Sequence, residues 1–168
     1  MQRGPGEPVA EAEVGPFHLR FLPSKHSAFM LGRVPFPGEI ADCDQVPLRT
    51  EAYRCGAVFA VEIRAGGKKV LHLGSADMVE ATVDSRQADV LLQCVAGWKA
   101  SAHFPERLVR ALDPRAVLLS HWDNFFVSLE RPAAVLPAIG FGEMAERLTR
   151  ANRDLRVGTL PIHGAVQV

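Results

Sequence analysis

Two histidines and one aspartate lie where predicted strands end. Residues 116–119 form an apolar run typical of a buried strand, and that run breaks abruptly before His121. His26 follows an alternating strand over residues 17–22, and Asp77 follows another predicted strand. Because a sheet holds the side chains at its strand ends rigidly, these three residues could meet at one rim. Imidazole and carboxylate ligands favour zinc, iron or manganese over calcium, so the pattern suggests a divalent metal site.

These residues and their neighbours also have ordinary structural interpretations. His121 could simply hydrogen-bond a neighbouring loop, and any chain with six histidines contains some spaced set by chance. Asp123 could orient His121 or contact a substrate, and it could equally cap a following turn. Trp122, Phe125 and Phe126 could wall a substrate pocket, although aromatic clusters are often simply core. The residue types alone leave both interpretations open.

Composition narrows the class of protein. The 168 residues include 48% hydrophobic and 23% charged residues, which is typical of one compact domain with a real core. Nineteen basic residues balance nineteen acidic ones, so no charge pattern favours nucleic acid or an anionic membrane surface as a partner. No window approaches the roughly 18 apolar residues of a membrane span, and no signal peptide is evident. Three widely spaced cysteines suit a reducing compartment, so we expect a cytoplasmic protein.

Glycine pairs and apolar periodicity predict the remaining elements. Residues 57–63 and 69–73 flank Gly66 and Gly67 and form the clearest hairpin, because glycine tolerates the positive φ of a tight turn. The other predicted elements are a strand at 88–95, helices at 101–112 and 142–152, a helical turn at 78–83 and an extended segment at 160–166. This order of elements predicts a layered α/β domain in which strands outnumber helices.

The chain divides into a short N-terminal segment and one domain. Residues 1–14 are rich in Gly, Pro and Glu and are expected to be a flexible N-terminal segment, while residues 15–168 form the domain. Within it, residues 28–54 form a long loop that is too apolar for a free linker. Loops of this length are often lids, binding loops or interface arms, although plain packing is the alternative.

Five segments occur in an order that resembles the C-terminal half of the metallo-β-lactamase-fold hydrolases. They are Pro-Ser-Lys-His-Ser at 23–27, Tyr-Arg-Cys-Gly-Ala at 53–57, Leu-His-Leu-Gly-Ser-Ala-Asp at 71–77, Ala-Asp-Val-Leu-Leu at 88–92 and Ser-His-Trp-Asp-Asn-Phe-Phe at 120–126. The resemblance covers about residues 15–165. It implies half of an αββα sandwich, with a mixed sheet, helices on one face of the sheet and metal ions at the sheet edges.

The resemblance also assigns roles to residues. His26 and His121 match metal-binding histidines of the family. A bridging carboxylate follows the glycine directly in many members, whereas here Ser75 follows Gly74 and Asp77 comes two residues later. Asp77 is therefore a candidate second-site metal ligand, and Ser75 is a candidate pocket residue with Trp122, Phe125 and Phe126. Zinc is the expected cofactor, with manganese or iron as alternatives, and Asp123 is the candidate catalytic residue.

One part of the family pattern is absent from the 168 residues, namely the H-x-H-x-D-H signature of the N-terminal half. The expectation is a metal-dependent hydrolase that attacks a small-molecule ester, amide or phosphoester with metal-bound water and is incomplete, or truncated, in this chain. The alternative is a catalytically silent half-domain that acts as a binding or dimerisation module. A half-sandwich leaves an apolar sheet face uncovered, which predicts a homodimer or pairing with a separate N-terminal half.

Overall fold

One mixed β-sheet organises the protein. The structure is a computed structural model that describes residues 8–40, 49–128, 130–160 and 164–167. The strands are β1 (Ala10–Val14), β2 (Phe17–Pro23), β3 (Phe59–Ala65), β4 (Lys68–Leu73), β5 (Val90–Cys94), β6 (Ala116–Ser120) and β7 (Arg156–Thr159), and the helices are α1 (Glu106–Leu112) and α2 (Phe141–Ala151). Short 3-10 turns span Thr50–Ala52 and Trp98–Ala100. No helix in these described ranges is long and apolar enough to cross a membrane.

The strands lie side by side in the same order as they occur in the chain. Pairing is antiparallel from β1 to β4 and parallel from β4 to β7. Gly66 and Gly67, with φ of 54° and 74°, make the tight turn between β3 and β4. Parallel neighbours cannot be joined by a tight turn, and α1 and α2 provide the crossovers from β5 to β6 and from β6 to β7.

Both helices cover the same face of the sheet and contact each other. Their buried side chains include Leu108 and Leu112 from α1 and Met144 and Leu148 from α2. These side chains join the core cluster with residues from one face of the central strands. Leu71, Leu91 and Val117 lie opposite one another in register, and Ala60 lies opposite Leu73. The main core is therefore sandwiched between the helices and one face of the sheet.

A buried polar cluster occupies the same face near β2 and β3. The carboxylate of Glu62 accepts hydrogen bonds from Ser85 Oγ at 2.5 Å, Arg20 Nη1 at 3.1 Å and Arg64 Nε at 2.7 Å. Burial alone would raise the pKa of Glu62, but the Ser85 and Arg20 hydrogen bonds and the two arginine charges lower it overall. The hydrogen bonds and positive charges of this cluster stabilise the ionised carboxylate of Glu62 inside the fold.

The predicted α/β class, the mixed sheet and the helices on one face are confirmed. Other expectations need correction. Part of the expected flexible segment at residues 1–14 is strand β1, because Ala10–Val14 pair with β2; residues 1–7 lie outside the described ranges. Residues 78–83 contain a turn as predicted, in which the N–H groups of Thr82 and Val83 donate to the Val79 carbonyl oxygen, whereas α1 begins at Glu106 and not at residue 101. Among the described residues the last strand is β7, which ends before the predicted segment at 160–166; residues 161–163 lie outside the described ranges.

Candidate functional site

The predicted site residues follow strands that end at one edge of the sheet. Because β2, β4, β5, β6 and β7 run in the same direction, their carboxyl ends share that edge, which we call the carboxyl edge. His26 follows β2, Ser75 and Asp77 follow β4, and His121 follows β6. Three strands separate β2 from β6, which corresponds to about 19 Å at a strand spacing of about 4.8 Å. A common site therefore requires the intervening loops to close that distance.

The loop after β2 runs along the carboxyl edge. The backbone N–H of Ser27 donates a 2.9 Å hydrogen bond to Ser75 Oγ after β4. Further along, Ser27 and Phe29 pack against Gly97, after β5, so closely that a Cβ at Gly97 would lie 2.6 Å from Ser27 Oγ. The loop therefore reaches from β2 past β4 to β5, the strand beside β6. The segment that contains His26 therefore runs towards β6, the strand that His121 follows.

His26 is half-buried at the start of this loop. Its Nδ1 lies 2.8 Å from the carbonyl oxygen of Ser27, and its ring lies 5.9 Å from the Phe29 ring centroid. When Nδ1 carries the proton and donates to that carbonyl, Nε2 keeps the lone pair that can accept a proton or bind a metal. The loop backbone thus favours the tautomer that a ligand histidine needs.

His121 has an unusual backbone conformation directly after β6. Its φ of 53° lies in the left-handed region, which few residues other than glycine adopt. The imidazole is exposed and stacks on Phe125 with ring centroids 5.1 Å apart. Phe125 in turn contacts Phe126 at 4.5 Å, and the two phenyl side chains are 50% and 82% exposed. His121, Phe125 and Phe126 therefore form an exposed aromatic surface at the carboxyl edge.

Trp122 has a structural role. Its Nε1 donates a 2.8 Å hydrogen bond to Thr159 Oγ1, and that hydroxyl donates to the Leu119 carbonyl oxygen at 3.0 Å. The indole ring also lies 6.0 Å from the Phe141 ring at the start of α2. These contacts connect the end of β6 to β7 and α2, and the role of Trp122 as a pocket wall stays a prediction.

Asp123 has a carboxylate that is available for chemistry. Its backbone bridges to Val135, and the next residue, Asn124, donates its N–H to the Ala134 carbonyl oxygen at 2.8 Å. Within the described part of the chain, the Asp123 carboxylate has neither a hydrogen bond nor an ion pair, although the residue is half-buried. The predicted capping alternative thus finds no support among these contacts.

Asp77 is held by cations. Its Oδ1 accepts hydrogen bonds from Arg107 Nη2 and, at 2.8 Å, from the Met78 N–H, while Oδ2 lies 3.4 Å from Lys25 Nζ. Arg107 also pairs with Glu80 at 2.6 Å. A metal ion at Asp77 would have to compete with two positive charges already in contact with the carboxylate. Sequence reasoning did not find the contact between Arg107 and Asp77, because the two residues lie far apart in the chain. Lys25 offered a signal, since it directly precedes His26.

Ser75 is buried, with 4% of its surface exposed, and its hydroxyl accepts the Ser27 N–H. This contact makes Ser75 an anchor for the loop rather than a freely accessible pocket residue.

Two cavities border the loop between β2 and β3. One of about 610 Å³ lies beside His26 and is also lined by Lys25, Val34 and Cys55, so a small molecule there could reach the His26 ring. A larger one, of about 1030 Å³, is lined by apolar loop residues together with Arg33 and Arg54. The predicted role of residues 28–54 as a lid or interface arm stays a prediction, and residues 41–48 lie outside the described ranges.

The described residues do not fit a complete metal centre. Nowhere in residues 8–40, 49–128, 130–160 and 164–167 do three or more His, Cys, Asp or Glu side chains form a group that could hold a metal ion. His26 and His121 have suitable nitrogens, but a tetrahedral zinc site needs more ligands than two imidazoles supply. Any such centre requires further donors beyond this part of the chain.

Comparison with solved structures shows a likeness of shape, whereas the sequence comparisons show none. No family model matches the sequence, and no curated protein matches it. A solved structure that matches is the metallo-beta-lactamase fold protein YhfI from Bacillus subtilis, with 16% sequence identity and a TM-score of 0.47. The match covers 90% of this chain and 49% of that chain, so the present chain spans about half the length of YhfI. No residue role follows from a likeness at this level.

Proposed function

We propose that this chain is one layer of a metal-dependent hydrolase that acts on a small-molecule substrate and is completed by a second layer. One observation carries the proposal: β2, β4 and β6 end at the same edge, and the loop after β2 runs along that edge from the His26 end towards β6. The sequence resemblance to the metallo-β-lactamase-fold hydrolases supports the same assignment. The missing donors would come from a second copy or from a separate N-terminal half.

The proposal gives each candidate site residue a separate role. His26 and His121 are the histidines that would bind zinc, or alternatively manganese or iron. Asp123, whose carboxylate is free of partners within the described residues, would accept a proton or orient a substrate group. Phe125 and Phe126 offer the exposed apolar surface against which a substrate could lie. Asp77, held by cations, would position the loop through Lys25 and not bind metal directly.

A zinc-binding experiment tests the assignment. Calorimetric titration of the full chain with zinc is expected to show binding that weakens tenfold or more in His26→Ala and in His121→Ala, because each variant removes one ligand. His103→Ala is the matched control, since His103 is an exposed histidine outside the site, and its affinity should be unchanged. Equal zinc affinity in all four proteins, or no binding at all, would overturn the metal assignment.

A second candidate function is a catalytically silent half-domain that acts as a binding module. It is favoured by the pairing of Asp77 with Arg107 and Lys25, and by the lack of a metal-ligand group among the described residues. Assays with nitrophenyl ester and phosphodiester probes, with zinc or manganese added, separate the candidates. A hydrolase completed by a second copy of the chain should show turnover that His121→Ala abolishes, whereas the silent module should show none in either protein.

A reducing compartment such as the cytoplasm is the proposed location. Both described cysteines support it, because neither Cys55 nor Cys94 is in a disulfide, and Cys43 lies outside the described ranges.

A further inference from the structure

The described part of the long loop between β2 and β3 forms a cavity of about 1030 Å³, which we call the loop cavity. Its walls are Met30, Leu31, Arg33, Val34, Phe36, Pro37 and Arg54. Backbone hydrogen bonds hold these walls in place: Met30 and Arg33 exchange two, at 3.2 and 3.0 Å, and the Cys55 N–H donates to the Phe36 carbonyl oxygen at 2.7 Å. The volume is large enough for a small-molecule ligand.

Leu31 occupies a turn position that leucine rarely adopts. Met30 and Arg33 pair across a two-residue turn, in which Leu31 and Gly32 have φ of 51° and 77°. Turns with positive φ at both central residues favour Asn, Asp or Gly at the first, because the Cβ of a bulky residue crowds the backbone there. The Leu31 side chain is also 98% exposed, so packing within the fold does not offset this strain. An apolar ligand that covers Leu31 would explain why leucine is found here.

Two further apolar walls of the loop cavity are exposed to solvent. Met30 is 48% exposed and Phe36 is 61% exposed, and Phe36 also has a left-handed backbone, with a φ of 44°. Large apolar side chains that are exposed together are typical of a binding surface. Because these side chains line a concave surface, they suit a ligand with an aliphatic chain that enters the cavity.

The two arginines of the loop cavity give it an uncompensated positive charge. Among the residues that the structure describes, the Arg33 side chain has neither a hydrogen bond nor an ion pair. Arg54 Nη1 donates only to neutral groups, the carbonyl oxygens of Glu51 and Tyr53, at 2.6 and 2.8 Å. The planar fork of a guanidinium matches a carboxylate and can bind it through two parallel hydrogen bonds. The charges therefore complement a ligand with an anionic end.

The loop cavity adjoins the cavity beside His26. Val34 and Pro37 belong to the walls of both, and the second cavity is also lined by His26 and Lys25. A ligand in the loop cavity would therefore lie directly beside the space that the His26 ring borders. A chain too long for the loop cavity could extend into that space.

We propose that the loop cavity binds a fatty-acid-like ligand, an aliphatic chain with a terminal carboxylate. The carboxylate would pair with Arg33 and Arg54, and the chain would lie against Met30, Leu31 and Phe36. Apolar contact and charge complementarity then act on the two ends of one molecule. The proposal concerns binding alone, so it goes beyond the proposed function and does not depend on hydrolase chemistry.

Calorimetric titration of the full chain with decanoate, with EDTA present, tests the site in the absence of metal. Decanoate should bind, and Arg33→Gln and Arg54→Gln should each weaken binding by about tenfold, because each removes a charge-assisted contact. Butyrate, which has the same carboxylate and a much shorter chain, should bind far more weakly. The matched control is Arg150→Gln, an exposed arginine of α2 that lines neither cavity, and its affinity should be unchanged. No decanoate binding, or equal affinity in all four proteins, would overturn the proposal.

Leu31→Asn separates ligand binding from folding. Asparagine tolerates the left-handed backbone, so thermal unfolding should show a variant at least as stable as the unmodified chain. Its affinity for decanoate should nevertheless fall at least about fivefold, because the apolar contact is lost. A variant with unchanged affinity would show that Leu31 does not contact the ligand, and the proposal would be wrong.

A phospholipid surface is the alternative occupant of the same exposed side chains. Cosedimentation with vesicles of phosphatidylcholine and phosphatidylserine should leave the chain in the supernatant. If the vesicles bind the chain, Leu31→Asn abolishes that binding and decanoate does not bind, the loop contacts membranes and the fatty-acid proposal is wrong. Because decanoate binding is measured without metal, its outcome is independent of the zinc titration that tests the hydrolase.

Discussion

Among the individual residues, a titratable side chain with apolar neighbours is the most informative. His72 is the central example, because an imidazole lies within an apolar row between Val61 and Leu92. Burial lowers the pKa of His72 below its ordinary value of 6.5, since the charged form is poorly solvated there. The titratable groups that share its face nearby are Lys68 on its own strand and Cys94 on β5, and the facing residues of β3 are apolar. Neither neighbour offers a negative charge to stabilise an imidazolium.

The lowered pKa of His72 predicts a loss of stability in mild acid. The unfolded chain binds a proton at its ordinary pKa of 6.5, whereas the folded chain binds it only at lower pH. The contribution to the free energy of unfolding is therefore complete above pH 6.5 and is lost as the pH falls through the folded value. Urea unfolding at a series of pH values should show this loss, and His72→Phe should reduce it. The control His103→Gln should keep the same pH dependence as the unmodified chain; an unchanged slope in His72→Phe would contradict the argument.

At the scale of elements, the loop after β2 depends on one glycine of the loop after β5. Gly97 has a φ of 79°, which glycine adopts without strain, and it lies against both Ser27 and Phe29. The absence of a side chain there lets the loop that contains His26 approach β5. The position of His26 is thus determined as much by residue 97 as by its own strand.

Gly97→Ala should therefore loosen the site. The added Cβ would lie 2.6 Å from Ser27 Oγ in a backbone conformation unfavourable to alanine, so we expect a loss of about 1–3 kcal/mol in the free energy of unfolding. Zinc affinity should fall as well if His26 is a ligand. Gly142→Ala is the matched control, because Gly142 lies in α2 with open space around it, and it should be neutral or stabilising by up to about 1 kcal/mol. Thermal unfolding measures both; equal effects would contradict this account of the loop.

Sequence patterns predicted the strands that are marked by a glycine turn or by an apolar run. The glycine pair between β3 and β4 and the apolar run of β6 were sufficient to find those strands. β1 was missed because its Ala and Glu residues resemble a linker, and β7 was missed because Val157 is its only large apolar residue. Only pairing with a neighbouring strand stabilises such segments.

The sequence predicted that the candidate residues lie at one edge of the sheet, but it did not predict which side chains they contact. The positions of His26 and His121 after strands predicted a shared edge, and the direction of β2 and β6 agrees. The pairing of Asp77 with Arg107 depends on how α1 packs near the end of β4, which no local pattern encodes. Whether both imidazoles reach one ion stays a prediction.

At the scale of the whole molecule, the strict agreement between strand order and chain order has a kinetic consequence. Each strand pairs only with strands next to it in the chain, so the sheet can grow outward from an early hairpin without rearrangement. The β3–β4 turn closes over two residues, whereas β5, β6 and β7 must each wait for a crossover to form. Pulse-labelled hydrogen exchange during refolding should protect amides of β3 and β4 before those of β6 and β7, and simultaneous protection would contradict this order. A ribosome releasing this chain would thus complete β1 to β4 while the later strands are still being synthesised, so folding can start before synthesis ends.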